Sequence, residues 1–107
     1  MQTKKTISVR ELKDLVDSEK ALIIDSRNPM DFNGELGHIK NSINLSLAEM
    51  IEKSKWFEDQ NVPVCIICNS GGKSLREASI LRSKVNVPVY SVAGGIISWL
   101  LEDFDVE

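Results

Sequence analysis

The sequence predicts an α/β fold, in which a parallel sheet is covered by helices on both faces. Short apolar runs, too short to be helices, alternate along the chain with amphipathic segments of helical spacing. These runs are apolar at nearly every position, which is typical of strands that are buried on both faces. The 107 residues suit one domain and no Pro- or Gly-rich linker divides them, so we expect a single domain over residues 1–107.

The first part of the chain contains a helix and two short strands. Ser8 and Glu11 have the spacing of a capping box and predict that a helix begins there. Residues 21–24 predict a buried strand, residues 26–37 are rich in turn-forming residues, and residues 42–45 predict a second strand. The apolar face of the helix comprises Val9, Leu12, Leu15 and Val16.

A second capping-box pattern starts the middle of the chain. Ser46 and Glu49 predict another helix. Residues 53–61 are mostly polar, and we expect Trp56 and Phe57 to turn inward. The apolar face of this second helix comprises Leu47, Met50 and Ile51.

The last part contains the two longest apolar strands. Residues 62–67 give the strongest strand signal, and residues 87–92 predict the final strand. A helix lies between them, with an expected apolar stripe of Leu75, Ala78 and Leu81. The closing helix follows the glycine pair 94–95 and contains Ile96, Ile97, Leu100 and Leu101.

Composition and charge exclude several classes of protein. The net charge of −3 argues against a dedicated nucleic-acid binder, which would have a strongly basic surface. No apolar run approaches the ~18 residues that span a bilayer, and the lysine-containing N-terminal segment lacks the apolar core of a signal peptide. We therefore expect no membrane partner and a cytoplasmic location, where thiols stay reduced. Nothing in the sequence demands an oligomer, so we also expect a monomer.

Cys68 is the residue most suited to chemistry. It ends the strongest strand, and ligands of open α/β sheets bind beyond the carboxyl ends of the strands. The next helix, expected to begin near Lys73 or Ser74, presents unpaired N–H groups and a partial positive charge. Gly71 and Gly72 let the loop direct its amides at an anion. We therefore expect a reactive thiolate, although free cysteines are also common as small buried hydrophobes. The expected anion-binding loop comprises Asn69, Ser70, Gly71, Gly72, Lys73 and Ser74, with Arg76 one turn further on.

Other interpretations of the cysteines fit the spacing less well. Cys65 and Cys68 form a C-x-x-C pattern, but residues three apart in a strand point to opposite faces, so we expect Cys65 in the core. Two cysteines and His38 are too few for a zinc site, so no metal is expected. Residues 72–74 match the end of a phosphate-binding P-loop, but Ile67 stands where that motif needs glycine. A cysteine protease needs a base beside its thiol, and nothing places the single histidine there.

Three separated motifs, the third in two parts, resemble the single-domain rhodanese family. Residues 25–32 (DSRNPMDF) resemble D-x-R-x-P-x-E-[FY], and residues 37–45 (GHIKNSINL) resemble G-H-I-P-G-A-x-N. Residues 68–74 (CNSGGKS) resemble C-x-x-G-x-R-S, and residues 94–99 (GGIISW) resemble G-G-x-x-x-W. The resemblance covers about residues 7–102.

The resemblance implies a rhodanese-like fold with a five-stranded, mostly parallel sheet, and a sulfurtransferase activity. Cys68 would accept a sulfur atom from an anionic donor such as thiosulfate and hold it as a persulfide. Cyanide or a thiol would then remove it, and a sulfur-relay protein or thioredoxin is another possible acceptor. No metal or organic cofactor is implied, and two half-reactions imply ping-pong kinetics. The supporting residues implied are Asp25, Arg27, Arg76, Gly94 and Gly95, while His38 and Trp99 are expected to be structural.

The sequence departs from the family pattern at the loop, and two other functions stay open. Lys73 stands where the family often has arginine, and a lysine cannot grip an oxyanion with two parallel hydrogen bonds. One alternative is an inert binding or regulatory module, although such modules commonly lack the cysteine. The other is a cysteine-dependent phosphatase or arsenate reductase, but Ser74 occupies the position of the phosphate-binding arginine.

Overall fold

The structure is a computed structural model that describes residues 2–107, and it contains one five-stranded sheet. Every neighbouring pair of strands is parallel, in the order β1-β5-β4-β2-β3. This confirms the predicted α/β fold. Met1, where the predicted domain begins, lies outside the described residues. The strands are β1 (Thr6–Ile7), β2 (Leu22–Asp25), β3 (Ile43–Asn44), β4 (Val64–Ile67) and β5 (Val89–Val92).

Helices connect the strands and cover the sheet. Across residues 2–107, none of them is both long and apolar enough to cross a membrane. The helices are α1 (Val9–Ser18), α2 (Pro29–Phe32), α3 (Leu47–Glu52), α4 (Ser54–Gln60), α5 (Gly72–Arg82) and α6 (Gly95–Leu101).

The sheet separates two hydrophobic cores, because successive strand residues point to opposite faces. Val64 and Ile66 of β4 pack with α3, α4 and α5 on one face. Cys65 and Ile67 of the same strand pack with α1 and α6 on the other. The two layers explain why β4 is apolar at every position, with all four of its residues buried.

Both predicted capping boxes are confirmed. At α1, Ser8 Oγ accepts the Glu11 N–H at 3.1 Å and the Glu11 carboxylate accepts the Ser8 N–H at 3.0 Å. At α3, Ser46 and Glu49 make the same reciprocal pair. Hydrogen bonds from the backbone and side chain of Ser46 hold the pKa of Glu49 below its ordinary value.

Three features differ from what the sequence predicts for individual elements. The strand β1 was not predicted, because its two residues are too few to show a periodicity. The helix α2 lies inside the turn-rich stretch, where Asn28 caps it and Pro29 occupies the first turn. The expected burial of Leu75 is wrong, since this side chain is 48% exposed. The buried face of α5 runs instead through Ser74, Glu77, Ala78 and Leu81, and Leu75 lies beside that stripe.

Candidate active site

Cys68 lies at the carboxyl end of the sheet, immediately after β4. The neighbouring strand β2 ends beside it, because Asp25 pairs with Ile67. A short loop leads from Cys68 to α5, which begins at Gly72. Cys68 is buried, with 3% of its surface exposed. The parallel topology therefore places this cysteine between the end of the central strands and the start of a helix, as the sequence predicts.

Two backbone N–H groups donate to the sulfur of Cys68. The Gly71 nitrogen lies 3.2 Å and the Ser74 nitrogen 3.3 Å from Sγ. The Ser74 hydroxyl oxygen also lies 3.3 Å from Sγ and is 2.7 Å from the hydroxyl of Ser91 on β5. Amide donors directed at one sulfur stabilise negative charge on it, so this arrangement suits a thiolate or a persulfide anion.

The loop that carries Cys68 is fixed by the start of α6. The Ile96 N–H donates to the Cys68 carbonyl at 2.8 Å, and the Ile97 N–H donates to the Asn69 carbonyl at 3.2 Å. Gly95 permits this approach, since a Cβ atom there would lie 2.5 Å from the Asn69 oxygen and would also clash with the Cys68 oxygen. Its φ of +59° is likewise unfavourable for other residues. The neighbouring Gly94 also has a positive φ, of +78°, as the N-cap of α6.

A buried ion pair follows β2 at the edge of the same site. Arg27 Nη2 lies 2.7 Å from one carboxylate oxygen of Asp25, and Arg27 Nε lies 3.0 Å from the other. Arg27 Nη2 also donates to the Gly37 carbonyl at 2.7 Å. Both ionic side chains are at most 1% exposed. Because Asp25 neutralises much of the Arg27 charge, the pair serves mainly to connect the loops after β2 and around Gly37.

A cavity of about 270 Å³ opens at Cys68. Lys73 lies on its wall, and the Lys73 ammonium donates to the Ser26 carbonyl at 2.8 Å. This contact ties the start of α5 to the loop after β2 while keeping a cation at the cavity. The lining residues are Arg27, Asn28, Asp31, Cys68, Asn69, Ser70 and Lys73.

The structure brings together some of the predicted loop residues and separates others. Asn69 and Ser70 line the cavity, but of the predicted loop amides it is those of Gly71 and Ser74 that donate to Sγ. Gly72 and Arg76 lie on a neighbouring groove instead. Sequence reasoning did not identify Ser91 or Asn28. A serine inside the apolar strand β5 is the signal that could have indicated the first of them.

The other cysteine belongs to the core. Cys65 is fully buried in the layer with α1 and α6. Burial in these apolar surroundings raises the pKa of Cys65 to about 12, so the thiol stays protonated and unreactive at neutral pH.

His38 and Trp99 both have structural surroundings. The His38 ring stacks on Phe32 at 3.8 Å between centroids, and its Nδ1 lies 2.8 Å from the Phe32 carbonyl oxygen. Trp99 is 2% exposed and donates its ring N–H to the Asp105 carbonyl at 3.0 Å. Neither lines the cavity at Cys68.

A parallel sheet whose central strand leads into a cysteine held by backbone amides defines an α/β domain with a cysteine site, and comparison with known proteins identifies the family. The family model described as Rhodanese-like domain matches residues 8–102, so the chain belongs to this family. A thiosulfate sulfurtransferase GlpE from Pseudoalteromonas translucida is 35% identical over 99 residues, which are 89% of this chain and 88% of that protein.

Two further similarities extend the comparison. A rhodanese-related protein from Thermoplasma volcanium superposes with a TM-score of 0.79 at 29% identity, covering 96% of this chain and 97% of that one. A tRNA uridine(34) hydroxylase from Aster yellows witches'-broom phytoplasma is 26% identical over 98 residues, 87% of this chain. The match spans only 31% of that longer protein. Proteins of different overall length therefore contain a stretch similar to this chain.

Proposed function

We propose that this protein is a sulfurtransferase that carries sulfane sulfur as a persulfide on Cys68. The observation that carries the proposal is the pair of N–H groups, from Gly71 and Ser74, that donate to Sγ beside a small open cavity. An inert binding module would need neither a retained cysteine nor donors directed at its sulfur. The similarity to thiosulfate sulfurtransferases over most of both chains supports the same reaction class.

In the first half-reaction, the Cys68 thiolate attacks the outer sulfur of an anionic donor such as thiosulfate. A bond forms between Sγ and that sulfur, while the bond from that sulfur to the sulfite group breaks and its electron pair leaves with sulfite. Charge balances, since a thiolate and a dianion become a persulfide anion and a dianion. The loop amides stabilise the charge on sulfur throughout, and the Lys73 ammonium at the cavity attracts the donor.

In the second half-reaction, cyanide or a thiolate attacks the outer sulfur of the persulfide. The S–S bond breaks and its electron pair returns to Cys68 Sγ, which restores the starting thiolate. The reaction needs no redox partner, because the sulfur atom moves between nucleophiles. A sulfur-relay protein or thioredoxin would use the same step if its thiol reaches the cavity.

The decisive experiment is intact-mass measurement after incubation with thiosulfate. Wild-type protein and Cys65→Ser are expected to gain one sulfur atom, which cyanide then removes, whereas Cys68→Ser gains none. Cys65→Ser is the matched control, since it also removes one thiol. Absence of sulfur gain from both thiosulfate and a persulfide donor would contradict the proposal and favour a binding module. Hydrolysis of an aryl phosphate that depends on Cys68 would instead indicate a phosphatase.

A further inference from the structure

A second and larger cavity lies beside the one at Cys68. This groove has a volume of about 820 Å³ and runs between the loop after β2, the start of α3 and the first two turns of α5. Arg27, Asn28 and Lys73 line both cavities. A molecule held in the groove would therefore lie next to the sulfur that the proposed reaction transfers.

The groove is bordered by buried polar side chains with unsatisfied atoms. Within residues 2–107, four buried side-chain nitrogen or oxygen atoms have no hydrogen-bond partner. Three of them, Ser26 Oγ, Arg27 Nη1 and Glu77 Oε1, belong to residues that line this groove. These residues are 2%, 4% and 5% exposed. Unpaired polar atoms are unusual inside a protein, so their concentration here points to a polar ligand.

The charges of the groove indicate the chemistry of that ligand. Glu77 places a carboxylate on the buried face of α5, and no salt bridge within the described residues involves it. A buried carboxylate is favourable only when a cation or several donors pair with it. Lys73 and Arg76 are exposed on the same groove, and neither forms a salt bridge with a described carboxylate. A ligand with one ammonium and one carboxylate group complements this arrangement.

We propose that the groove binds the sulfur acceptor, and that this acceptor is a small thiol with an α-amino-acid head group. The ammonium pairs with Glu77, the carboxylate pairs with Lys73 and Arg76, and the thiol reaches the adjoining cavity at Cys68. The inference rests on the proposed function for its chemical step. In that step the acceptor thiol releases its proton to solvent and its sulfur bonds to the outer sulfur of the persulfide. The persulfide S–S bond breaks, and its electron pair returns to Cys68 Sγ.

The test compares L-cysteine with N-acetyl-L-cysteine, which keeps the carboxylate and lacks the ammonium. Persulfide-loaded protein is mixed with each thiol, and kcat/KM is measured for both. The ratio of kcat/KM for L-cysteine to kcat/KM for N-acetyl-L-cysteine is expected to fall about tenfold in Glu77→Gln. The substitution removes the buried charge partner of the ammonium, which only L-cysteine has. Since the ratio is taken within one variant, partial loss of folded protein or of loading cancels. The matched control Glu35→Gln removes an exposed carboxylate outside both cavities and is expected to keep the wild-type ratio.

The carboxylate arm uses cysteamine, which keeps the ammonium and lacks the carboxylate. The ratio of kcat/KM for L-cysteine to that for cysteamine is expected to fall several-fold in Arg76→Gln, which removes one of two exposed cations. Lys84→Gln, which removes an exposed cation away from the groove, is the control and is expected to keep the wild-type ratio. Equal ratios in wild type and both groove variants would overturn the inference.

A binding measurement separates this inference from the proposed function. S-methyl-L-cysteine has the same head group but no free thiol, so it can bind without accepting sulfur. Calorimetric titration is expected to show binding to wild-type protein that is about tenfold weaker in Glu77→Gln. If no persulfide forms but this difference is present, the groove binds an amino-acid head group as assigned, while the transferase proposal and the role of the bound molecule as sulfur acceptor fail. If the persulfide forms and S-methyl-L-cysteine binds both proteins equally, or neither, the groove assignment is wrong.

Discussion

At the scale of single residues, we expect the position of the loop that carries Cys68 to depend on glycine at 95 and not at 72. The Gly95→Ala substitution places a methyl group against the Cys68 and Asn69 carbonyls, at a φ of +59°. We expect it to lower the free energy of unfolding by about 1–3 kcal/mol and to slow persulfide formation, because the loop must move away from α6. Urea denaturation and the rate of sulfur uptake by mass spectrometry measure the two effects.

Gly72→Ala is the matched control for that prediction. A Cβ atom at Gly72 would meet nothing within 4 Å, and the residue lies in the first turn of α5. The free energy of unfolding is therefore expected to stay unchanged or to rise by about 0.4–1 kcal/mol. Equal destabilisation by the two substitutions would show that the close approach at Gly95 is not what fixes the loop.

At the scale of the elements, some helices and strands are determined by local sequence and others by tertiary packing, and only the first kind could be predicted. The two capping boxes and the apolar strands could be predicted because each depends on residues within a few positions of one another. The strand β1 could not, since its two residues become a strand only by pairing with β5. The placement of Cys68 between the end of β4 and the start of α5 was predictable from the order of elements. Which of the predicted loop amides donate to Sγ was not, because that depends on where the helix begins.

The groove beside Cys68 also could not be predicted, because it forms only through tertiary packing. Its walls come from three segments, after β2, at the start of α3 and along α5, so no single motif contains it. Glu77 was not identified from the sequence. Its burial follows from the stripe shared with Ser74, Ala78 and Leu81, which replaced the expected one through Leu75.

The cap of α3 gives a prediction at this scale. Ser46→Ala removes the hydroxyl that accepts the Glu49 N–H at 3.2 Å, and we expect the free energy of unfolding to fall by about 1 kcal/mol. Ser79→Ala is the control, since Ser79 is exposed within α5 and alanine favours a helix at least as well. Thermal and urea denaturation of the two variants measure the difference. A Ser46→Ala protein as stable as Ser79→Ala would mean that the cap contributes nothing to folding.

At the scale of the whole molecule, the Cys68 loop joins the two layers of the protein. The N–H donors to its sulfur come from the loop and first turn leading into α5, which packs on one face of the sheet. The donors to its carbonyls come from α6, which packs on the other face. The sheet is thus the common support for both sets of contacts. We therefore expect that loss of packing in either layer displaces the Cys68 loop through its contacts with α5 or α6.

The buried thiol of Cys65 makes the stability of the whole domain depend on pH in the alkaline range. Burial raises the pKa of Cys65 from an ordinary value of 9.0 to about 12. Above pH 9 the unfolded chain releases a proton that the folded protein retains, so this contribution to stability is complete below pH 9 and is lost as the pH rises toward 12. At pH 10 the loss is about 1.4 kcal/mol. Cys65→Ala, although less stable at pH 7, is expected to lose about that much less than wild type between pH 7 and pH 10. Urea denaturation under reducing conditions at both pH values tests this, and an equal loss in the two proteins would show that Cys65 ionises as readily in the folded core as in water.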